Sequence, residues 1–414
     1  SSLSCPFLRV LLAMLPTPPS FSSRLDDDVL QTSVAHYIWR RASGQTLQRG
    51  AVARLHAPPA PISCTHGSYA LWWGTPKAYS FDEETREVLD HDGRPVGRWL
   101  DRQIAPEPLP ASHFSRSGPA ARRCVSVVLG EIMEEMQNPA NGDAWFVLPS
   151  QFNGVEYASH RSIVEKVEEY MGDKTAGPRG QLAAHPAVAQ FLLDNAANDD
   201  RPGGISALDA LLPSLARLLG PARRYGAFLA NGYLAMPDCP KQLQPAVLEA
   251  LRGALHCTRC LGMHGVPASG LTPAFDGLSE AEHRVSLVYA SAVPVQAYMN
   301  KGLPEQREFQ EAVSRLLIAA QYYGALQLAR EQGAVRARVV LLPLGGGIFG
   351  NSLASIAGAM SDAIEWVAET LPAGICLHDC LDIQVLMYRK NPDDAVRMVE
   401  LLEGLQKLQE KHVK

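Results

Sequence analysis

The feature that most constrains the fold is a set of apolar segments in which hydrophobic and polar residues do not alternate. Four such segments follow residue 120, with helical patterns between them: AWFVLPS, VSLVYASAVPV, ARVVLLPLGGG and DIQVLMY. A strand that is apolar on both faces must be covered on both faces, as in a mostly parallel sheet between helices. The pattern therefore predicts an α/β fold with three layers, in the order helices, sheet, helices.

The first 120 residues have a different texture from the rest of the chain. The segment DDDVLQTSVAHYIWRRA has helical spacing, and Asp26–Asp28 are placed to cap its start. The segment YSFDEETREVLDHDGRPVG predicts a hairpin that turns at Asp92–Gly93. We therefore predict an irregular N-terminal extension over residues 1–120, with a helix and a hairpin, and an α/β domain over residues 121–414.

Charge and cysteine content exclude several classes of protein. The formal net charge of −5 gives no electrostatic reason to expect a nucleic acid as partner. No apolar run reaches the ~18–20 residues that a membrane span needs. Eight cysteines in 414 residues are too few for a disulfide framework. We expect a soluble protein in a reducing compartment; the sequence does not define its localisation further.

Two loops have the composition of ligand-binding turns. DNAANDDRPGGIS offers the side-chain amides of Asn195 and Asn198 together with a Gly pair. LLPLGGGIFGN places three glycines between an apolar strand and a helix, which suits an anion bound by backbone N–H groups. Ligands of such sheets bind at the carboxyl ends of the strands, so we expect both loops at one edge. The alternative for the first loop is a plain turn, because Asn and Gly are common turn residues.

In their order along the chain, these segments resemble the macrodomain family of ADP-ribose-binding modules. The resemblance rests on NAAN at 195–198, Gly203–Gly204–Ile205, the strand with Gly232–Tyr233–Leu234, the central strand at 287–294 and the loop at 343–351. It covers about residues 180–410. It implies a macrodomain-like mixed sheet with helices on both faces, and ADP-ribose or a related nucleotide as ligand.

The resemblance also implies roles for individual residues. Asn195 and Asn198 would contact the distal ribose or support their loop, and the glycine loop would bind the phosphates with Phe349 against the ribose. Gln181 stands in the region where the family has its adenine-binding Asp. The ligand-binding residues predicted in this way are Gln181, Asn195, Asn198, Gly203, Gly204, Ile205, Ser206, Gly345, Gly346, Gly347, Ile348, Phe349, Gly350 and Asn351.

Catalysis is less well supported by the resemblance than binding. Ser206 stands where hydrolases of the family often carry an Asp, and Asp200 is one of the nearest acids. A second source of acid–base groups is QFNGVEYASH, where Glu156 and His160 form a candidate proton-transfer pair. A plain turn into the following segment explains the same residues. The candidate catalytic residues are thus Asp200, Glu156 and His160, and the activity that they imply is that of an ADP-ribosyl hydrolase.

The stretch at about 238–283 is longer than the family usually shows and is predicted as an insertion. It contains HCTRCLGMH, where Cys257, Cys260 and His264 have the spacing of zinc ligands, and Cys239 lies upstream. These four residues are candidate ligands of a structural zinc; the alternative, which the single CxxC favours, is a helix with two ordinary buried thiols.

Three functions remain open from the sequence. The first is binding, with or without hydrolysis, of ADP-ribose as a small molecule or on an ADP-ribosylated protein. The second is a catalytically silent scaffold for protein partners. The third is a different hydrolase or transferase that uses the same edge of the sheet.

Overall fold

The computed structural model describes residues 78–104, 125–214, 229–236, 238–268, 283–301, 304–332, 336–372 and 375–412. The helix predicted near Asp26–Asp28 lies outside these residues. The strands are β1 Ser80–Phe81, β2 Glu87–Leu89, β3 Pro95–Gln103, β4 Val125–Gly130, β5 Trp145–Pro149, β6 Leu229–Ala230, β7 Tyr233–Leu234, β8 Arg259–Pro267, β9 Arg284–Ala290, β10 Ala337–Leu341 and β11 Leu381–Tyr388. The helices are α1 Ile132–Gln137, α2 Ala176–Ala183, α3 Pro186–Asn195, α4 Gln244–Ala254, α5 Arg307–Gln332, α6 Leu353–Glu369, α7 Leu377–Cys380 and α8 Pro392–His412.

Nine of the strands form one mixed sheet in the order β1-β2-β3-β8-β9-β5-β10-β11-β4. The five strands from β9 to β4 are parallel to one another. The strands β1, β2, β3 and β8 are paired in antiparallel fashion, and β8 joins β9 in the same way. The apolar segments that were predicted to be buried strands are β5, β9, β10 and β11, the centre of this sheet.

Helices cover both faces of the sheet. On β8, the side chain of Leu261 and the side chain of Leu192 on α3 both lie within 4 Å of the position that a Cβ of Gly154 would take. A Cβ at the next residue of the strand, Gly262, would instead meet Leu328 of α5. Successive residues of a strand face opposite sides of a sheet. Helices α3 and α5 therefore lie on opposite faces, which confirms the predicted three-layer architecture.

The predicted hairpin is confirmed, and it belongs to the main sheet. Strands β2 and β3 are joined by a turn in which Gly93 has a φ of +79° and the Asp90 carboxylate accepts the N–H groups of Asp92 and Arg94. Because β3 pairs with β8, the boundary predicted at residue 120 does not separate two sheets. The segment predicted as an insertion likewise contributes β8 to the middle of the sheet.

An aromatic cluster fixes the hairpin to helix α3. The ring of Phe191 lies 5.8 Å from that of Tyr79, 5.0 Å from that of Phe81 and 5.7 Å from that of Trp99. Phe191 is buried, and so are Tyr79 and Trp99. Among the described residues, no helix combines the length and apolar character that a bilayer crossing requires.

Phe191→Ala should lower the free energy of unfolding by about 3–5 kcal/mol, because it leaves a cavity between the hairpin and α3. Urea unfolding of the full chain measures this loss. The matched control is Leu129→Ala on β4, where the side chain is 50% exposed, and we expect a loss below about 1 kcal/mol. Equal losses for the two variants would contradict the packing described here.

Candidate functional site

Three loops meet at one edge of the sheet because their strands are adjacent and parallel. Strand β5 lies between β9 and β10, so the carboxyl ends of all three strands are neighbours. The loops that follow span residues 150–160 after β5, 291–300 after β9 and 342–351 after β10. The loop at 195–205 joins them through Asn153, whose Nδ2 donates to the carbonyl oxygen of Ala197 at 2.6 Å.

The loop after β10, residues 345–351, is closed by its own backbone; we call it the glycine loop. Gly345 and Gly350 have φ angles of +71° and +72°. The N–H of Gly350 donates to the carbonyl of Gly347, and that of Asn351 donates to the carbonyl of Gly345, both at 3.0 Å. The four intervening N–H groups, those of residues 346–349, donate a hydrogen bond to none of the described residues. Since residues 346–348 are exposed, these N–H groups are available to an anion.

Asn351 holds the glycine loop against the loop after β9. Its buried Nδ2 donates to the carbonyl of Val293 at 3.0 Å and to that of Gly345 at 3.3 Å. The N–H of Val295 donates to the carbonyl of Phe349 at 2.6 Å. The amide N–H groups of Asn351 thus join two loops, and the predicted contact of this residue with a ligand stays a prediction.

The asparagines of the NAAN segment support their own loop. Asn195 Nδ2 donates to the carbonyl of Phe191 at 2.7 Å, at the end of α3. Asn198 Oδ1 accepts the N–H of Arg201 at 2.7 Å. Of the two roles predicted for these side chains, the structure shows loop support; contact with a ribose stays a prediction.

Gly204 is required by the path of the backbone. A Cβ at this position would lie 2.5 Å from the nitrogen of Ala197 and 2.5 Å from the carbonyl oxygen of Asn195. The N–H of Ile205 donates to that same carbonyl at 2.7 Å. The chain thus approaches itself closely here, whereas Gly203 remains partly exposed. Ser206, the last residue of this predicted set, is buried, and its hydroxyl accepts the N–H of Leu208 at 3.3 Å.

Gln181 lies under the loop after β5 rather than in an open pocket. The residue is 1% exposed, and its Nε2 donates to the carbonyl of Gly154 at 3.1 Å. A direct contact between Gln181 and an adenine would require this loop to move.

Glu156 is the enclosed acid of the loop after β5, and its network reaches Tyr233 through Gln151. Gln151 Nε2 donates to Glu156 Oε2 at 2.7 Å and lies 3.3 Å from the hydroxyl of Tyr233. That hydroxyl donates to the carbonyl of Tyr157. On the other side, a Cβ at Gly177 would lie only 2.0 Å from Glu156 Oε1. The first turn of α2 therefore encloses the carboxyl group.

This enclosure determines the charge of the acid. Burial raises the pKa of Glu156 to about 8, and the nearby Asp173 adds to the increase, while the hydrogen bond from Gln151 opposes it. The carboxyl group is therefore mostly protonated at neutral pH. Burial and the cations Arg161 and Lys301 lower the pKa of His160, so its imidazole is neutral. The predicted pair thus consists of a protonated acid and a neutral base.

Four rings from four separate segments form one cluster, which we call the aromatic wall: His160, Tyr233, Tyr298 and Phe349. The ring of Tyr233 lies 4.7 Å from that of Tyr298, 5.7 Å from that of Phe349 and 6.5 Å from that of His160. The ring of Tyr298 lies 5.7 Å from that of Phe349 and 6.2 Å from that of His160. The aromatic wall therefore connects the glycine loop to the loop that carries Glu156.

Sequence reasoning did not identify Gln151 and Tyr298 as site residues. Gln151 could have been found from its place directly after β5, in the same polar patch as Glu156. Tyr298 follows β9 by eight residues in a segment without polar clusters, and no local pattern marked it.

Asp200, the third candidate catalytic residue, lies on an exposed turn between Asn198 and Arg201. Its neighbour Asp199 is tied to Asn231 by two hydrogen bonds, one from each backbone N–H to the other side chain, at 2.9 Å and 3.2 Å. Burial raises the pKa of Asp199. A catalytic role for Asp200 stays a prediction.

The four residues predicted as zinc ligands are not brought together. Cys260 and His264 lie on strand β8, where a rise of about 3.3 Å per residue places them roughly 13 Å apart. His264 Nδ1 instead lies 2.8 Å from Ser286 Oγ, and Cys239, Cys257 and Cys260 are not joined in a disulfide. In the described ranges, the only cluster with metal-ligand spacing is at residues 90–92. The CxxC spacing was misleading because it spans the start of a strand, not a metal-binding turn.

No protein-family model matches the chain, and no curated protein matches it. Several solved structures are similar to the chain in fold. The Oceanobacillus iheyensis macrodomain with ADP is 11% identical, with a TM-score of 0.33 over 75% of this chain and 98% of that one. The Trypanosoma brucei macrodomain in complex with ADP-ribose is 10% identical, with a TM-score of 0.31 over 72% and 78%. The poly(ADP-ribose) glycohydrolase from Deinococcus radiodurans in complex with ADP-ribose is 15% identical, with a TM-score of 0.35 over 69% and 89%.

Gly345→Ala should destabilise the protein by about 1–3 kcal/mol, because the residue needs a left-handed backbone. A Cβ there would also lie 2.5 Å from the Cβ of Ala292 and from Asn351 Nδ2. Gly347→Ala is the matched control, since a Cβ there meets nothing within 4 Å, and it should change stability by less than about 0.5 kcal/mol. Urea unfolding measures both; similar losses would show that the glycine loop is not built as described.

Proposed function

We propose that the chain binds ADP-ribose, free or attached to a protein, in the cleft between the glycine loop and Glu156, and that it hydrolyses the linkage of the bound ADP-ribosyl group. The observation that carries this proposal is the adjacency of two features on one aromatic wall. Exposed backbone N–H groups of the glycine loop lie at one end of the wall, and a protonated carboxyl group lies at the other.

A diphosphate suits the glycine loop. The N–H groups of residues 346–349 are unpaired among the described residues, and helix α6 begins at Leu353 directly after the loop. Backbone N–H groups at the start of a helix stabilise phosphate oxygens without a cationic side chain. Gly346 and Gly347 also allow a ligand to approach the backbone closely.

A sugar beside the diphosphate would lie against Phe349. This ring is half-buried and belongs to both the glycine loop and the aromatic wall. Aromatic faces pack well against the apolar C–H groups of a sugar, while polar groups nearby bind its hydroxyls. The carboxyl group of Glu156, which Gln151 orients by a hydrogen bond, is the proposed polar group at the far side of Tyr233.

Glu156 is the proposed general acid. When a glycosidic bond breaks, the departing oxygen takes up a proton, and a carboxyl group that is still protonated at neutral pH can supply it. A water molecule then forms the new bond to the anomeric carbon and releases one proton, equal in number to the proton that Glu156 gave to the departing oxygen. Because its imidazole is neutral, His160 is the proposed acceptor of that proton.

Calorimetric titration tests the binding half of the proposal. We expect the full chain to release heat with ADP-ribose and to bind adenosine much more weakly, because adenosine has no diphosphate for the glycine loop. The absence of both heat and thermal stabilisation at millimolar ADP-ribose would contradict the proposal.

Turnover of an ADP-ribosylated protein tests the catalytic half. Glu156→Gln should reduce the rate about 100-fold or more, because Gln cannot donate the proton. The rate of the wild type should fall as the pH rises through about 8, where Glu156 loses its proton. Glu400→Gln, an exposed position on α8, is the matched control and should have the wild-type rate.

The outcome for a third variant decides between the two candidate acids. If Asp200→Asn abolishes turnover and Glu156→Gln does not, the exposed turn carries the chemistry and the role given to Glu156 is wrong. Binding without turnover in the wild type would support the alternative of a catalytically silent scaffold.

A further inference from the structure

Tyr298 has a backbone conformation that large side chains rarely adopt. Its φ is +50°, and Gln296, two residues earlier, has a φ of +55°. Left-handed backbone is unfavourable for a bulky residue, because its Cβ approaches the neighbouring carbonyl oxygen. Such strained positions persist only where the surrounding structure enforces them, and they are concentrated in functional sites.

Hydrogen bonds enforce this conformation from both sides of Tyr298. Before it, the N–H of Gln296 donates to Gln310 Oε1 at 3.1 Å. After it, the fully buried Asn300 donates through Nδ2 to the carbonyls of Leu234 and Pro294 at 3.0 Å and 2.9 Å. Each end of the strained segment is therefore fixed to a different part of the core.

The enforced conformation places the phenol ring in the aromatic wall, beside the glycine loop. The ring belongs to the aromatic wall, 5.7 Å from the ring of Phe349 in the glycine loop, and the residue remains partly exposed. Its other ring neighbours are Tyr233, at 4.7 Å, and the neutral imidazole of His160, at 6.2 Å. A core-packing role alone needs neither a strained backbone nor an exposed edge.

We propose that Tyr298 contacts the terminal ribose of a bound ADP-ribosyl group and thereby determines the preference of the cleft for ADP-ribose over ADP. This inference rests on the proposed function and deepens it, because it assigns a specificity-determining residue that no local sequence pattern marks. The ring of Tyr298 lies between the glycine loop, where the diphosphate is proposed to bind, and His160. A ribose attached to that diphosphate would pack its C–H face on the ring.

The test compares the affinities of ADP-ribose and ADP for three variants of the full chain. Tyr298→Ala and Tyr298→Gly should each weaken ADP-ribose binding about tenfold, and neither should change ADP binding, since ADP lacks the terminal ribose. Tyr298→Phe keeps the ring and should bind ADP-ribose as the wild type does. Calorimetry with both ligands gives these ratios directly.

Thermal unfolding of the same variants tests the strain separately. Both small residues remove the ring, but only Gly adopts a positive φ freely, so Tyr298→Gly should melt at least about 2 °C above Tyr298→Ala. Asp143→Gly is the matched control: Asp143 has a φ of +62° at the amino end of β5, and its replacement should leave both affinities unchanged.

Three results would overturn the inference. The first is wild-type affinity for ADP-ribose in both small variants, and the second is an equal loss of affinity for ADP. The third is equal melting temperatures for the Gly and Ala variants, which would show that no strain holds the ring. If the wild type itself does not bind ADP-ribose, the proposed function fails first, so the two failures are distinguishable.

Discussion

The parallel pairing of β9, β5 and β10 is the constraint on which the candidate site depends. Because these strands are adjacent and point the same way, three loops that are distant in sequence begin at one edge of the sheet. Each loop contributes something different: Glu156 comes from the first, Tyr298 from the second and the backbone N–H groups from the third. An antiparallel order would place at least one of these loops at the opposite edge.

Buried side-chain amides convert this proximity into a fixed geometry. Asn351 joins the glycine loop to the loop after β9, Asn300 joins that loop to the segment at 234–236, and Gln181 supports the loop after β5. An amide carries both donors and an acceptor, so it can satisfy the backbone of irregular segments that have no strand partner. The polar residues that most suggested ligand contacts in the sequence are thus partly architectural.

This division explains which features the sequence could predict. The non-alternating apolar segments and the hairpin depend on local patterns and were predicted, as was the convergence of the loops. The roles of Asn195 and Asn198 were harder to predict, because an amide in a loop can bind either a ligand or the loop itself. The spacing of Cys257 and Cys260 suggested zinc, but ligand geometry depends on whether the segment is a turn or a strand. Tyr298 has no signature, because its importance arises from a dihedral angle and from neighbours far away in the sequence.

Two features of the candidate site reduce the stability of the folded protein, and both belong to the aromatic wall or to the network beside it. Burial raises the pKa of Glu156 to about 8, so the folded state opposes ionisation of this acid. The folded protein is therefore most stable, as far as this group is concerned, below the ordinary value of 4.5, and it loses that stability as the pH rises through about 8. Tyr298 adds backbone strain at all pH values. A fold selected for stability alone would relieve both, with an apolar residue in place of the acid and a glycine in place of the tyrosine. Their coexistence on one aromatic wall, supported by the network from Gln151 to Tyr233, is the structural reason for which we propose hydrolysis in addition to binding.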